Sequence, residues 1–157
     1  AEPGVGGWMP RTQAYAEEDA RKLYAAPPGL PWTVVVDRVP AGSPYYLDIN
    51  PEVGGLEIGW TWYRRDLWAT AVNPACKLLL LGHAFDDLGA GRVSLKTDAL
   101  NARSRAAISK LGATYDGTLR HHMLRADGTV RDTAYFSLLA AEWPTARQRL
   151  LDRLPRE

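Results

Sequence analysis

The chain has 157 residues, 46% hydrophobic and 24% charged, which suits one domain over 1–157 with a sizeable core and excludes a disordered chain. Lys plus Arg (19) nearly balances Asp plus Glu (18), which gives little support to a nucleic-acid binder relying on bulk charge, and no nucleic-acid partner is expected. No run reaches the roughly 18 apolar residues of a membrane span, no basic-then-apolar leader is visible, and the lone Cys76 forbids an intramolecular disulfide, which together suit a cytoplasmic protein with no membrane partner.

Residues 1–10 are Gly/Pro-rich and read as coil. Thr12 to Ala26 has no internal Gly or Pro and reads as a helix, stopped by the PPGLP stretch at 27–31. Trp32 to Arg38 is a β-branched run between prolines and reads as a strand. Tyr45 to Ile49 reads as a second strand, kept short by Pro40 and Pro44. Residues 50–55 form a turn. Leu56 to Tyr63 alternates, with Leu56, Ile58, Trp60 and Trp62 on one face and Glu57, Gly59, Thr61 and Tyr63 on the other.

Residues 64–72 read as a loop. Asn73-Pro74 then marks a helix start, an Asn cap with Pro at the first helical position. Leu78, Leu81, Phe85 and Leu88 form its apolar stripe, and Gly89 ends it. Arg92 to Thr97 is a strand with Val93, Leu95 and Thr97 on one face. Asn101 caps a further helix through Leu111, closed by Gly112. Leu119–Leu124 and Val130–Leu138 are strands joined across Asp127-Gly128, and Trp143 to Leu154 is a short amphipathic helix. Strand, helix, strand over about 30 residues makes a parallel crossover; with antiparallel strands around it the class is α/β (α+β) with a mixed sheet.

The chemistry points to the unit strand 56–63, loop 64–72, helix from 73. A loop entering a helix N-terminus offers free N–H groups and the positive end of the helix dipole, a seat for phosphate, and Arg64 and Arg65 add charge. The blander reading is that such N–H groups hold water or a cap. The excess of Arg (15) over Lys (4) suits phosphate recognition, and codon bias explains it equally well.

From about Leu47 to Leu150 the chain resembles the GNAT superfamily of acyl-CoA N-acyltransferases, most closely the RimJ/RimL-like branch that acetylates ribosomal-protein N-termini. The resemblance is carried by LEIGWTWY (56–63), by 67–113, and by 119–139 with Glu142-Trp143-Pro144. It implies a mostly antiparallel sheet in which strand 56–63 splays from a parallel neighbour at 92–97, with acetyl-CoA as acyl donor lying in the gap. The acceptor is then a primary amine, of a protein N-terminus or a small molecule; a homodimer is left open. The resemblance places the cofactor on Trp60, Thr61, Trp68, Ala69, Thr70, Ala71, Val72, Asn73, Asn101 and Ser104. Trp68-Ala69-Thr70-Ala71 stands where this branch often reads Trp-Gly-x-Gly, so Ala69 is a departure that favours the alternative of an acyl-CoA-binding or scaffold protein without turnover. Asn101 and Ser104 match an Asn-x-x-Ser pattern in which the hydroxyl lies near the sulfur as an acid for the leaving thiolate; the tyrosine acid of many relatives is replaced by Ile108. Relatives also begin with another strand and most of another helix, both expected to be missing here.

Glu57, on the polar face of the splayed strand, is the expected general base and Ser104 the other catalytic residue, with an amide near Gly59 to Thr61 holding the oxyanion. Asp98 is the second choice of base, although its position also suits ordering the strand-to-helix turn. At most one of His121 and His122 faces the site, and the pair lacks the carboxylate or Cys that a metal site needs. Cys76 reads as packing. Trp60, Trp62 and Trp68 are candidates for an aromatic wall.

Overall fold

A computed structural model describes Gly29 to Pro155. The coil at 1–10 and the helix at Thr12–Ala26 lie outside the described residues. The strands are β1 (Gly29–Pro31), β2 (Val34–Val36), β3 (Val39–Asn50), β4 (Gly55–Tyr63), β5 (Arg92–Asp98), β6 (Thr114–Leu124) and β7 (Val130–Leu139). The helices are α1 (Val72–Gly82), α2 (Ala102–Leu111) and α3 (Trp143–Leu151). The sheet runs β1-β3-β4-β5-β7-β6, with β2 also on β3, and every pairing is antiparallel except β4 with β5. The class is therefore the mixed one expected. No helix among the described residues is long and apolar enough to cross a membrane.

The core lies where the helices cover one sheet face. Leu56 and Ile58 of β4 and Val93 and Leu95 of β5 meet Leu80, Leu81 and Phe85 from the α1 segment, with Ile108, Leu111, Trp143 and Leu150 closing the layer. Trp143 stacks on Phe85 and donates its indole N–H to Asp86 Oδ1 at 2.9 Å, so its polar end is satisfied inside the packing.

Several expectations need correction. Asp37 and Arg38 are not strand: both have positive φ (51° and 65°), the geometry of a two-residue hairpin turn between β2 and β3. Residues 29–31, read as a helix stop, form β1. β3 is not short; it runs 12 residues straight through Pro40 and Pro44. The sheet absorbs Pro44 with a bulge: the register jumps from Tyr45↔Gly59 to Ser43↔Trp62, leaving Trp60 and Thr61 opposite a residue with no N–H. Trp60 takes φ +46° there. The bulge ends the clean alternation of β4, and Trp62 is 42% exposed rather than buried with Leu56 and Ile58.

The cap of helix α1 lies two residues before the expected one. Ala71 is the cap residue, Val72 N–H is taken by Thr70 Oγ1 at 3.3 Å, and Asn73 and Pro74 sit inside the first turn, where Pro lacks only an N–H that has no helical partner. Beyond Gly82 the chain widens into a π-helical turn, His83–Asp87. The changed winding takes Leu88 out of the stripe to 58% exposure, and Lys77, Leu80 and Ala84 are buried instead. α2 begins as read: Asn101 Oδ1 accepts Ser104 N–H at 2.9 Å, and Gly112 closes the helix at φ +94°.

Candidate functional site in the divided sheet

β4 and β5 pair only at Gly55↔Arg92, Leu56↔Val93 and Glu57↔Ser94. Beyond that point each strand keeps its outer neighbour, β4 pairing with β3 as far as Gly42↔Tyr63 and β5 with β7 as far as Asp98↔Thr133. The inner edges part, so a row of backbone groups in the middle of a sheet is left without ladder partners. The gap opens into a cavity of about 670 Å³, bordered by β4 from Glu57 to Tyr63, the 67–70 loop, the first turns of α1, and Asn101, Ser104 and Ile108 of α2. That volume is within the range of small-molecule sites.

At the loop end, the N–H groups of Ala69, Ala71 and Asn73 have no acceptor among the described residues, while those of Leu67, Trp68 and Thr70 close local turns. Trp68 is fixed by its indole N–H donating to Tyr63 O at 3.1 Å and lies between two guanidiniums, Arg103 at 4.6 Å and Arg65 at 5.8 Å from the ring centre. Arg64 is engaged by Asp66 at 2.9 Å. Bare amides at a helix start favour an anion, and Arg65 and Arg103 lie over the ring of Trp68 in the same loop. Ala69 occupies the left-handed region at φ +61°, so the loop holds its shape despite the methyl. Ala69→Gly is expected to raise stability by about 0.5–1 kcal/mol, the relief of that conformation less the entropy of a freer unfolded chain, read by chemical denaturation. A lower midpoint would show that the methyl packs usefully.

At the closed end, Glu57 is 2% exposed. Its Oε2 pairs with Lys96 Nζ at 2.8 Å, and its Oε1 has no hydrogen-bond partner among the described residues. Burial pushes the Glu57 carboxyl above its ordinary value, with Lys96 pulling part of the way back. Burial opposes the charge of Lys96, but Glu57 outweighs it and holds Lys96 above the usual lysine value. Asp98 is fully buried and bound to Arg125 at 2.7 and 3.2 Å; it also accepts Leu100 N–H at 2.9 Å. The contacts of Asp98 order the turn from β5 into α2 and tie the β6–β7 connection to it.

Of the expected cofactor residues, Trp60, Thr61, Trp68, Ala69, Thr70, Asn73, Asn101 and Ser104 border the cavity together with Glu57, whereas Ala71 and Val72 stand at the loop-to-helix junction without lining it. The Ser104 hydroxyl makes no hydrogen bond among the described residues; only its N–H is used, by Asn101. Neither His121 nor His122 borders the cavity: His122 Nδ1 bonds Thr133 Oγ1 at 3.0 Å, and His121 sits at φ +53° in a bulge of β6. Cys76 lies beside Tyr63, whose hydroxyl is buried without a hydrogen bond among the described residues.

Lys77 and Arg103 are cavity residues that the sequence reading did not select. Lys77 was traceable: Pro74, Lys77, Leu81 and Phe85 share a helical stripe, and a lysine in such a stripe is out of place. Arg103 carried no local signal, because its contact with Trp68 joins two elements distant in sequence.

The family description "Acetyltransferase (GNAT) domain" matches residues 1–114. A solved structure from T. thermophilus, described as a "putative acetyltransferase", superposes with TM-score 0.87 at 34% identity, covering 99% of this chain and 85% of that one. A GCN5-related N-acetyltransferase from Brucella melitensis gives TM-score 0.84 at 26% identity over 92% of this chain and 68% of its own. In sequence, the "Putative ribosomal N-acetyltransferase YdaF" of Bacillus subtilis (strain 168) is 27% identical over 125 residues, 80% of this chain and 67% of that protein. The divided parallel pair, the bare loop amides and these matches lead to one conclusion: the chain belongs to the GNAT family of acetyltransferases, which move an acetyl group from acetyl-CoA to an amine.

Proposed function

We propose that this chain is an acetyl-CoA-dependent N-acetyltransferase of the RimJ/RimL-like branch, acting on a primary amine of a protein N-terminus or a small molecule by direct attack. The observation that carries the reading is the parting of β4 from β5 after Glu57↔Ser94, which leaves a strand edge running from the closed end of a cavity to three amides at the loop and helix start that have no acceptor among the described residues. The edge suits the amide-bearing arm of the donor, and the amides with Arg65 and Arg103 suit its diphosphate. The likeness to YdaF supports a protein N-terminus as acceptor.

The roles follow from position. Glu57 takes the proton of the attacking amine, directly or through water. Trp60 and Thr61 have no register partner on β3, and in this reading their amides hold the oxyanion. The free hydroxyl of Ser104 donates a hydrogen bond to the departing sulfur. Asn101 caps α2 with its carbonyl oxygen, which leaves its amide nitrogen for the donor.

Incubation with acetyl-CoA and a panel of N-terminal peptides and small amines is expected to release free thiol above buffer. Ser104→Ala is expected to lower kcat about tenfold, with the acetyl-CoA dissociation constant changing less than threefold. Equal losses in both would make Ser104 a binding residue. Saturable acetyl-CoA binding without turnover on any amine would favour an acyl-CoA-binding protein instead.

A further inference from the structure

Lys77 is unexplained by packing or by the mechanism so far. It is 7% exposed, sits in the second turn of α1 on the stripe that faces the sheet, and borders the donor cavity. It makes no hydrogen bond and no ion pair among the described residues. A buried cation with no direct partner among the described residues, only the more distant charge of Glu57, is unfavourable, and methionine would fill the same space without that penalty.

We propose that Lys77 is the group that protonates the departing thiolate of the acyl donor; the proposal rests on the N-acetyltransferase reading above. The acyl transfer then balances. The amine nitrogen bonds to the thioester carbonyl carbon, and its surplus proton passes to Glu57. The C–S bond breaks with its electron pair on sulfur, and one Nζ proton of Lys77 passes to that sulfur. Solvent then returns a proton to Lys77 and removes one from Glu57.

Among the described residues, the other groups facing this space cannot take the role. Arg103, Arg131 and Arg153 carry guanidiniums, a group that does not serve as a proton donor in proteins. Lys96 is held in its charged form by Glu57. Lys110 stands exposed on α2, Ile108 has no proton to give, and burial holds the Tyr63 hydroxyl well above its ordinary value. Ser104 can hydrogen-bond the sulfur, but an unactivated hydroxyl does not surrender its proton to a thiolate. Burial pushes Lys77 down to about 8, with the neighbouring Cys76 and Glu57 pulling the other way. It is therefore charged at neutral pH yet close to the value of about 8.5 for a free thiol, so the transfer is nearly level in energy.

The test compares Lys77→Arg, which keeps the charge but gives up no proton, with Lys77→Met, which keeps the length and removes the charge. Both are expected to lower kcat about 100-fold with the KM for acetyl-CoA within about threefold. The wild-type kcat is expected to fall on an alkaline limb near pH 8, and both variants are expected to lose that limb. Lys77→Arg with wild-type kcat and an unchanged limb overturns the assignment, because charge alone would suffice. A loss confined to KM, or acetyl found on Lys77 by peptide mass spectrometry, also overturns it. A wild type that turns over but shows no alkaline limb overturns it without any variant. A wild type that acetylates no amine overturns this proposal and the reading beneath it together, whereas turnover with an indifferent Lys77 overturns this one alone.

Discussion

Glu57→Gln is expected to lower kcat about 100-fold while leaving the KM for acetyl-CoA within about threefold. The substitution keeps the shape of a side chain that is 2% exposed and removes only its ability to take a proton. Lys96, deprived of its 2.8 Å partner, still has Asp48 at 3.7 Å, so the variant keeps a counter-ion near the half-buried ammonium. Folding should therefore survive. The pH profile gives a second readout. A base works only when ionised, and burial holds Glu57 above its ordinary value of 4.5. The wild-type kcat/KM should fall as pH drops along a limb lying above that of a surface glutamate, and the Gln variant should lack the limb. Full activity in the variant at every pH would remove Glu57 from the chemistry.

The same carboxyl bears on stability with the opposite sign from a surface ion pair. Its folded value is raised, so the folded protein binds its proton more tightly than the unfolded chain, and its contribution weakens as pH rises through the window that begins at 4.5. Removing its charge is thus no threat to the fold at neutral pH. A carboxyl kept in a position that burial disfavours, with Oε1 beside the cavity and unpartnered among the described residues, is what a proton acceptor requires and a structural ion pair does not.

What could be read in advance divides along the range of the interactions involved. The β4–α1–β5 crossover, the Asn101 cap, the Gly112 stop and the Asp127–Gly128 hairpin are local, written in adjacent residues, and the structure has them all. The bulge at Trp60 is set by Pro44 on a neighbouring strand, so no reading of β4 alone contains it. The length of β3 was hidden for the same reason: its prolines look like breaks until bulges in register accommodate them. The cavity was approached through the resemblance more than through periodicity. Its walls come from β4, β5, α1 and α2, and only their packing shows that Glu57 meets Lys96 rather than solvent. Lys77 was missed because four leucines follow it and drew the stripe by themselves, and the π-helical turn then shifted that stripe.

Asp98→Ala is expected to lower folding stability by about 3 kcal/mol in urea denaturation at neutral pH. Asp98 joins two parts of the site. Through its side chain it accepts Leu100 N–H, and through its backbone oxygen it accepts Asn101 N–H at 2.9 Å, which sets the start of α2 and hence Asn101 and Ser104. Through Arg125, which also donates to Thr129 Oγ1 and Val130 O at 3.1 Å, it ties the β6–β7 hairpin to the same turn. Alanine leaves the Arg125 charge and the Leu100 N–H without that acceptor. Asp98→Asn keeps the acceptor and should cost only about 1–2 kcal/mol. Acidification separates ionic from packing contributions. Burial alone would raise the Asp98 carboxyl, but the Arg125 hydrogen bond, the Leu100 N–H and the charges of Arg125 and Arg131 hold it below its ordinary 3.8. A depressed carboxyl contributes fully above its unfolded value and loses that contribution as pH falls through its folded one. The difference between wild type and Asp98→Ala should therefore be constant near neutrality and close below pH 3.8. A gap that persists undiminished in acid would mean that the turn is held by the shape of the side chain rather than by its charge.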